Sequence, residues 1–195
     1  MTNGRQNADR GRSYFTKILN QCSSVMQKIV TSSKPVIAEV DGVATAAGCQ
    51  LVASCDLALA SDNAKFCTPG VNIGLFCSTP MVALSRNLTN KHAMAMLLTG
   101  DMVSASRAAE MGLINQVVPS AELSTTSMAL AKKIAAKSSL TVATGKRAFY
   151  QQKEMDLATA YNYASKVMVD NMLARDAEEG IAAFIEKRAP DWHDE

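Results

Sequence analysis

The fold of this 195-residue chain is decided by the stretch VIAEVDGVATAAGCQ, residues 36–50. Four of its first five residues are apolar, and this run predicts a strand over 36–40. Asp41 and Gly42 then predict a turn. The residues that follow carry no charge and are mostly small. They predict a thin helix over 44–55 that packs closely against its neighbours on all sides.

The flanking sequence extends this pattern. An apolar run over 56–60 predicts a second strand, and strand, buried helix and strand in succession predict an α/β core with parallel strands. Upstream, apolar residues at three- and four-residue spacing predict a helix over 14–30. Downstream, the spacing predicts a short strand over 113–118 and helices over 80–88, 91–98, 104–112, 122–137, 140–152, 157–173 and 177–187. The expected organisation is therefore an α/β part, residues 1–119, followed by a helical part, residues 120–195.

Composition excludes several classes of function. The 20 Lys and Arg residues nearly balance the 18 Asp and Glu residues, and aromatic residues make up only 5%, so no nucleic-acid partner is expected. Residues 66–85 carry no charge, but their prolines and glycines argue against a membrane span. Five cysteines without a CxxC pair, together with two histidines, predict reduced thiols and no metal site. Residues 1–12 have the features of neither a secretion signal nor a transit peptide.

The helix that follows the turn begins on Ala46, Ala47 and Gly48. Backbone N–H groups in the first turn of a helix have no partner within the helix, and the helix dipole favours negative charge there. Because these residues lack bulk, a carbonyl oxygen can approach their N–H groups, which gives half of an oxyanion hole. Small residues also allow close packing of a helix on a sheet, so the residues alone leave both interpretations open.

A series of motifs in order along the chain resembles the crotonase, or enoyl-CoA hydratase/isomerase, superfamily. The motifs are Lys34–Ala38, Asp41–Cys49, Cys55–Ser61, Ala64–Phe66, Leu98–Gly100, Ala108–Asn115 and Val117–Pro119. The resemblance implies a crotonase-like superhelix of repeated ββα units with a helical C-terminal region. It also implies acyl-CoA thioester ligands, with coenzyme A as part of the ligand and no separate cofactor. The resemblance further implies assembly as homotrimers or dimers of trimers through the helical C-terminal region. It also implies a mitochondrial location, or otherwise a cytoplasmic one.

The resemblance also assigns roles to positions in this sequence. The oxyanion-hole glycine of the family falls on Ala47, and its two catalytic glutamates fall on Gln50 and Gly70. The sequence has no carboxylate between Asp41 and Asp56, or between Asp62 and Asp101. Neither an amide nor a glycine exchanges protons near neutral pH, so hydratase chemistry is not expected.

Further positions are assigned to ligand binding. Four residues are expected to line the substrate site, Ala46, Gly48, Val71 and Leu75. The stretch over 123–153 carries lysines and arginine but no acid. It is either a solvated helix face or a surface for the phosphates of coenzyme A, with Lys146, Phe149 and Lys153 as the candidates.

Family domains span about 250 residues, so an N-terminal portion carrying the second oxyanion donor is expected to be absent. The strand over 36–40 is then expected to show an unpaired edge. The leading hypothesis is an acyl-CoA thioester-binding protein of fatty-acid metabolism without hydratase activity. The alternatives are a non-catalytic oligomerisation or interaction subunit and an inactive fragment.

Overall fold

The structure, a computed structural model, describes residues 8–194. Its helices are α1 (Arg12–Thr31), α2 (Ala47–Ser54), α3 (Ser78–Asn87), α4 (Asn90–Thr99), α5 (Ala105–Met111), α6 (Leu123–Ala135), α7 (Ser139–Gln152), α8 (Leu157–Met172) and α9 (Arg175–Glu186). Its strands are β1 (Ile37–Val40), β2 (Val43–Thr45), β3 (Leu57–Ser61), β4 (Lys65–Cys67), β5 (Val103–Ser104) and β6 (Gln116–Val118). Short 3₁₀ turns cover Pro69–Ile73 and Ser120–Glu122.

The chain forms two compact units. One contains the residues up to Val30 together with Val36–Thr126, and the other contains Thr31–Pro35 together with the residues from Ser127 onward. All six strands lie in the first unit, whereas α7, α8 and α9 lie in the second. The α/β class expected from the sequence is confirmed.

Two small sheets organise the first unit. One has the strand order β1-β3-β6 and is parallel throughout. The other has the order β2-β4-β5, with β2 parallel and β5 antiparallel to β4. The prediction of parallel strands is therefore confirmed for three of these four pairings. Among the described strands, β1 pairs with β3, and the expectation of an unpaired edge stays a prediction.

The predicted continuous helix over 44–55 is wrong at its start. Residues Val43–Thr45 form β2, and α2 begins only at Ala47. In β2, Ala44 lies opposite Phe66 of β4 and is buried. Val43 and Thr45 are β-branched and favour a strand, and pairing with β4 overrides the helix preference of the neighbouring alanines.

The strand predicted over 113–118 is shorter in the structure. The N–H of Leu113 donates to the carbonyl of Ala108, and the N–H of Asn115 donates to the carbonyl of Ala58. These bonds hold residues 113–115 in a turn after α5, and only Gln116–Val118 pair with β3. Leu113 is nevertheless buried, which explains why the apolar run resembled a longer strand.

The core of the first unit lies around α2, the two sheets and α3 to α5. Its largest fully buried apolar side chains are Phe66, Leu59, Leu84, Met96 and Leu97. All five cysteines are free thiols, and Cys49 and Cys67 are buried. No helix among residues 8–194 is both long and apolar enough to cross a membrane. Residues 1–7 of the polar N-terminal stretch lie outside the described residues.

The second unit ends in a tail that folds back on α9. Arg188 donates two hydrogen bonds to the carboxylate of Glu179, at 2.6 and 2.8 Å. The N–H of Asp191 donates to the same carboxylate at 2.8 Å, and the indole N–H of Trp192 donates to the carbonyl of Ala136 at 3.0 Å. The N–H of His193 donates to the buried Asp176 at 2.8 Å. Polar contacts of two acidic side chains therefore anchor the end of the chain.

The anchoring of the tail by Glu179 predicts a pH dependence of stability. The hydrogen bonds from Arg188, and then the one from Asp191, lower the pKa of Glu179 to about 2. Because the folded-state pKa lies below the unfolded value of about 4.3, the stabilisation is complete above that value and is lost as the pH falls toward 2. We expect Glu179→Gln to lower the melting temperature at pH 7 and to have little effect at pH 2, as measured by circular dichroism.

The matched control is Glu110→Gln. Glu110 pairs with Arg107 on the exposed surface of α5, where ion pairs contribute little to stability. We expect this variant to melt close to the parent protein at both pH values. A melting-temperature difference for Glu179→Gln that is the same at pH 7 and pH 2 contradicts the prediction.

Candidate functional site

A sharp turn at Ala46 joins β2 to α2. Ala46 adopts φ 48° and ψ −111°, a conformation that favours glycine and costs other residues about 1–3 kcal/mol. Its N–H donates to the carbonyl of Cys67 at 3.0 Å, and its carbonyl accepts from the N–H of Gln50 at 2.9 Å. Since one bond extends the β2–β4 pairing and the other begins the helix, the chain passes from strand to helix within one residue.

The first turn of α2 presents free backbone donors. Within the described part of the chain, no carbonyl accepts from the N–H groups of Ala47 and Gly48. The Ala47 side chain is exposed, and the first turn carries no acidic residue. The unpaired N–H groups and the helix dipole give this end of α2 a partial positive charge. The arrangement can accept an oxygen atom on which negative charge develops.

Gln50 lies one turn further along α2. It is 4% exposed, and its amide oxygen accepts a hydrogen bond from the thiol of Cys22 on α1 at 3.8 Å. The structure thus places a neutral amide close to the free N–H groups. The sequence alone did not predict the contact with Cys22, since the two residues are 28 positions apart and no motif links them.

Gly70 lies in the 3₁₀ turn Pro69–Ile73 and is buried. A Cβ atom placed on Gly70 lies 2.7 Å from the carbonyl oxygen of Leu75 and 2.8 Å from the sulfur of Cys77. The N–H of Leu75 also donates to the carbonyl of Gly70 at 2.9 Å. The space for a side chain at this position is therefore already filled. The sequence shows that position 70 has no carboxylate, but it gave no signal that the sulfur of Cys77 lies against this position.

The expected substrate-lining residues Val71 and Leu75 flank Gly70 in the same loop. Val71 is half-buried and Leu75 is exposed. Gly74 closes the loop with a positive φ of 75°, and its N–H donates to the carbonyl of Val71. The loop thus presents two apolar side chains, and their contact with an acyl group stays a prediction.

The thiol of Cys49, in the first turn of α2, is buried. Burial raises the pKa of the Cys49 thiol to about 12, and the neighbouring Cys67 and Cys77 add to the effect. Cys49 therefore stays protonated near neutral pH and is a poor nucleophile. Among residues 8–194, no three His, Cys, Asp or Glu side chains are grouped in a way that could hold a metal ion.

The three residues expected to bind coenzyme A phosphates lie on α7 and just after it, in the second unit. Lys146 is 9% exposed and donates to the carbonyl of Lys34 at 2.9 Å, so its ammonium group holds the segment Thr31–Pro35. The Lys153 nitrogen lies 5.4 Å from the centre of the exposed Phe149 ring. The structure brings Phe149 and Lys153 together, and the phosphate contact of all three stays a prediction.

Comparison with known proteins identifies the family. Residues 6–195 match the model of the enoyl-CoA hydratase/isomerase family. The chain is 54% identical over 183 residues to the mitochondrial enoyl-CoA hydratase domain-containing protein 3 of Rattus norvegicus, covering 94% of this chain and 61% of that protein. It is 52% identical over 187 residues to the protein of the same name from Homo sapiens, covering 96% and 62%.

Solved structures give the same result. The crystal structure of an enoyl-CoA hydratase from Mycobacterium smegmatis matches with a TM-score of 0.92 and 49% identity, over 97% of this chain and 74% of that one. The human enoyl-CoA hydratase domain-containing protein 3 matches with a TM-score of 0.92 and 52% identity, over 96% and 74%. The chain therefore belongs to the enoyl-CoA hydratase/isomerase family and has its crotonase-like fold. It spans about three fifths of the length of the curated relatives.

The filled space at Gly70 predicts that replacement by alanine destabilises the protein at Gly70 but not at Gly48. Gly70→Ala brings a Cβ into contact with Leu75 and Cys77, and overpacking of this kind costs about 1–3 kcal/mol of unfolding free energy. Gly48→Ala is the control, because nothing lies within 4 Å of its Cβ position and alanine is the better helix former. We expect urea denaturation to show destabilisation by Gly70→Ala alone. Equal midpoints for Gly70→Ala and the parent protein contradict this account.

Proposed function

We propose that this chain is an acyl-CoA thioester-binding protein of fatty-acid metabolism that lacks hydratase activity. The observation that carries the proposal is the first turn of α2, where the N–H groups of Ala47 and Gly48 have no partner among the described residues. A thioester carbonyl accepts such donors, and their strength grows as negative charge develops on its oxygen. Coenzyme A enters as part of the ligand rather than as a cofactor.

The absence of hydratase activity follows from the groups that proton transfer requires. Adding water to a double bond needs one group that accepts a proton and one that donates a proton. Gln50 offers an amide, which does neither near neutral pH. Gly70 offers no side chain, and the space beside it is filled by Leu75 and Cys77. Hydration of crotonyl-CoA at rates typical of enzymes contradicts this part of the proposal.

The names of the relatives support a cellular location. The enoyl-CoA hydratase domain-containing proteins 3 of Rattus norvegicus, Mus musculus and Homo sapiens are named mitochondrial. We propose the same compartment for this chain. Five free thiols agree with a compartment in which cysteines stay reduced.

Substitution of Ala47 by proline tests thioester binding at α2. Proline at the first position of a helix removes the N–H group there, and it also disfavours the positive φ of the preceding Ala46 that presents the donors. We expect Ala47→Pro to abolish the binding of butyryl-CoA that isothermal titration calorimetry detects for the parent protein. Leu157→Pro is the matched control, because Leu157 is the exposed first residue of α8. We expect this control to bind like the parent protein.

The titration also separates the proposal from its alternative. Binding that is retained in Ala47→Pro contradicts the assignment of the thioester to α2. If the parent protein, folded by circular dichroism, binds no acyl-CoA at all, the acyl-CoA function itself is wrong. In that case the second candidate function gains support.

The second candidate is a non-catalytic subunit that assembles through α8 and α9. The observation that favours it is the exposure of large apolar side chains on and beside these helices, where Phe184 is 85% exposed. The others are Leu157, Tyr161, Met168, Val169, Met172, Leu173, Ile181 and Ile185. Apolar surface of this extent is typical of protein interfaces. We propose that it assembles the chain as a homotrimer or a dimer of trimers, whichever candidate function holds.

Replacement of Phe184 by a charged residue tests this assembly. A glutamate at the centre of an apolar interface must be desolvated without a partner, so we expect Phe184→Glu to sediment as a monomer in analytical ultracentrifugation. The parent protein is expected to sediment as a trimer or a hexamer. Met102→Glu, at a residue that is also exposed but lies in the first unit, is the control and is expected to assemble like the parent protein. A parent protein that is monomeric at all concentrations overturns the prediction.

A further inference from the structure

The side-chain nitrogen of Gln50 is the one polar group of this residue that is not engaged. Its backbone N–H donates to the carbonyl of Ala46, and its own carbonyl accepts from the hydroxyl of Ser54 at 2.8 Å. Its amide oxygen accepts from the thiol of Cys22. The amide nitrogen finds no acceptor among residues 8–194, although the residue is 4% exposed. Two N–H donors are thus held close to the protein interior without a partner.

The nitrogen is also not sealed inside the protein. In the described part of the chain, Nδ1 of His92 is the only side-chain nitrogen or oxygen that is fully buried and has no partner. The nitrogen of Gln50, which has no acceptor, therefore keeps some contact with solvent. The thiol of Cys22 lies 3.8 Å from the amide oxygen and places that oxygen on the α1 side.

The position of Gln50 on α2 decides which part of a ligand it meets. Gln50 follows Ala47 by three residues, and residues at this spacing lie on the same face of a helix. Helical side chains lean toward the N-terminus of the helix and cover the preceding turn. The amide group of Gln50 therefore extends toward the first turn, where the proposed thioester oxygen is held by the N–H groups of Ala47 and Gly48.

We infer that Gln50 is a specificity-determining residue that donates a hydrogen bond to a second carbonyl oxygen on the acyl group, as in a 3-oxoacyl thioester. This inference rests on the proposed function. The two oxygens of such a ligand are carried by carbons separated by a single methylene, so two sets of donors on one helical turn can bind both. A saturated acyl group offers no second acceptor and leaves the Gln50 donors unpaired, which costs affinity.

A neutral second oxygen fits this site better than a carboxylate. Residues 42–55, which include the whole of α2, carry no charged side chain. An ionised carboxylate that leaves water needs a cation or several hydrogen bonds in return, and Gln50 is a neutral donor. The expected order of affinity is therefore 3-oxoacyl first, with saturated and carboxylate-bearing acyl groups of the same length behind it.

Calorimetric titration of the parent protein with acetoacetyl-CoA, butyryl-CoA and malonyl-CoA tests the inference. One hydrogen bond to an otherwise unpaired donor corresponds to an affinity ratio of about ten. We expect acetoacetyl-CoA to bind about tenfold more tightly than the other two. In Gln50→Met, which keeps the length of the side chain but removes the amide, acetoacetyl-CoA should lose its hydrogen bond and butyryl-CoA should no longer leave a donor unpaired, so the preference should fall to within about twofold.

Two further variants complete the experiment. Gln21→Met changes an exposed residue of α1 and should leave the preference intact. Gln50→Leu also removes both donors with a different apolar side chain, so it should also lose the preference, and it keeps the test decisive if Gln50→Met fails to fold.

The outcomes separate this inference from the proposed function. Equal affinity of the parent protein for acetoacetyl-CoA and butyryl-CoA overturns the inference but leaves thioester binding in place. If malonyl-CoA binds most tightly, the inference that the second acceptor oxygen is neutral is wrong. If the preference for acetoacetyl-CoA survives in Gln50→Met, the role of Gln50 is wrong. No binding of any of the three thioesters overturns the proposed function itself.

Discussion

The conformation of Ala46 is the constraint on which the site depends. With a positive φ, this residue ends the pairing of β2 with β4 and begins α2 in a single step. The hydrogen bond to Cys67 holds the start of the helix against the second sheet, so the N–H groups of the next residues face away from any carbonyl in the described chain. If the change from strand to helix took several residues, the N–H groups of Ala47 and Gly48 would pair with the neighbouring strand. They would then be unavailable to a ligand.

The proposed function separates ligand binding from proton transfer. The backbone donors at Ala47 and Gly48 do not depend on side-chain identity, so they persist through substitutions that keep the turn. Proton transfer depends on carboxylates, and neither Gln50 nor Gly70, the positions that the sequence resemblance assigns to the catalytic glutamates, carries one. The space at Gly70 is closed by Leu75 and Cys77, so the loop has packed around the glycine rather than keeping a cavity for a larger residue. Gln50 carries an amide donor, which fits the proposed recognition of a ligand rather than proton exchange.

Many of the helices could be predicted from the sequence, because the signals for helix ends are local. The ends of α5 follow from Ser104, which caps the first turn, and from Gly112, which adopts a positive φ of 84°. The strand β2 was not predicted, because Val43 and Thr45 favour a strand while the alanines around them favour a helix, and only pairing with β4 decides between the two. The burial of Lys146 could not be predicted from the sequence either, because its partner, the carbonyl of Lys34, lies 112 positions away.

What the sequence by itself determined is the α/β class, the charge-free segment over residues 42–55, and the presence of Gln50 and Gly70 at the positions where the resemblance places acidic residues. These properties belong to residue identities and to their order along the chain. Only the tertiary structure decided which donors are free at α2, how the space at Gly70 is filled, and that the amide oxygen of Gln50 accepts from Cys22 while its nitrogen has no acceptor among residues 8–194. The physical reason is that hydrogen-bond satisfaction and steric exclusion depend on atoms brought together from distant positions, which no local pattern records.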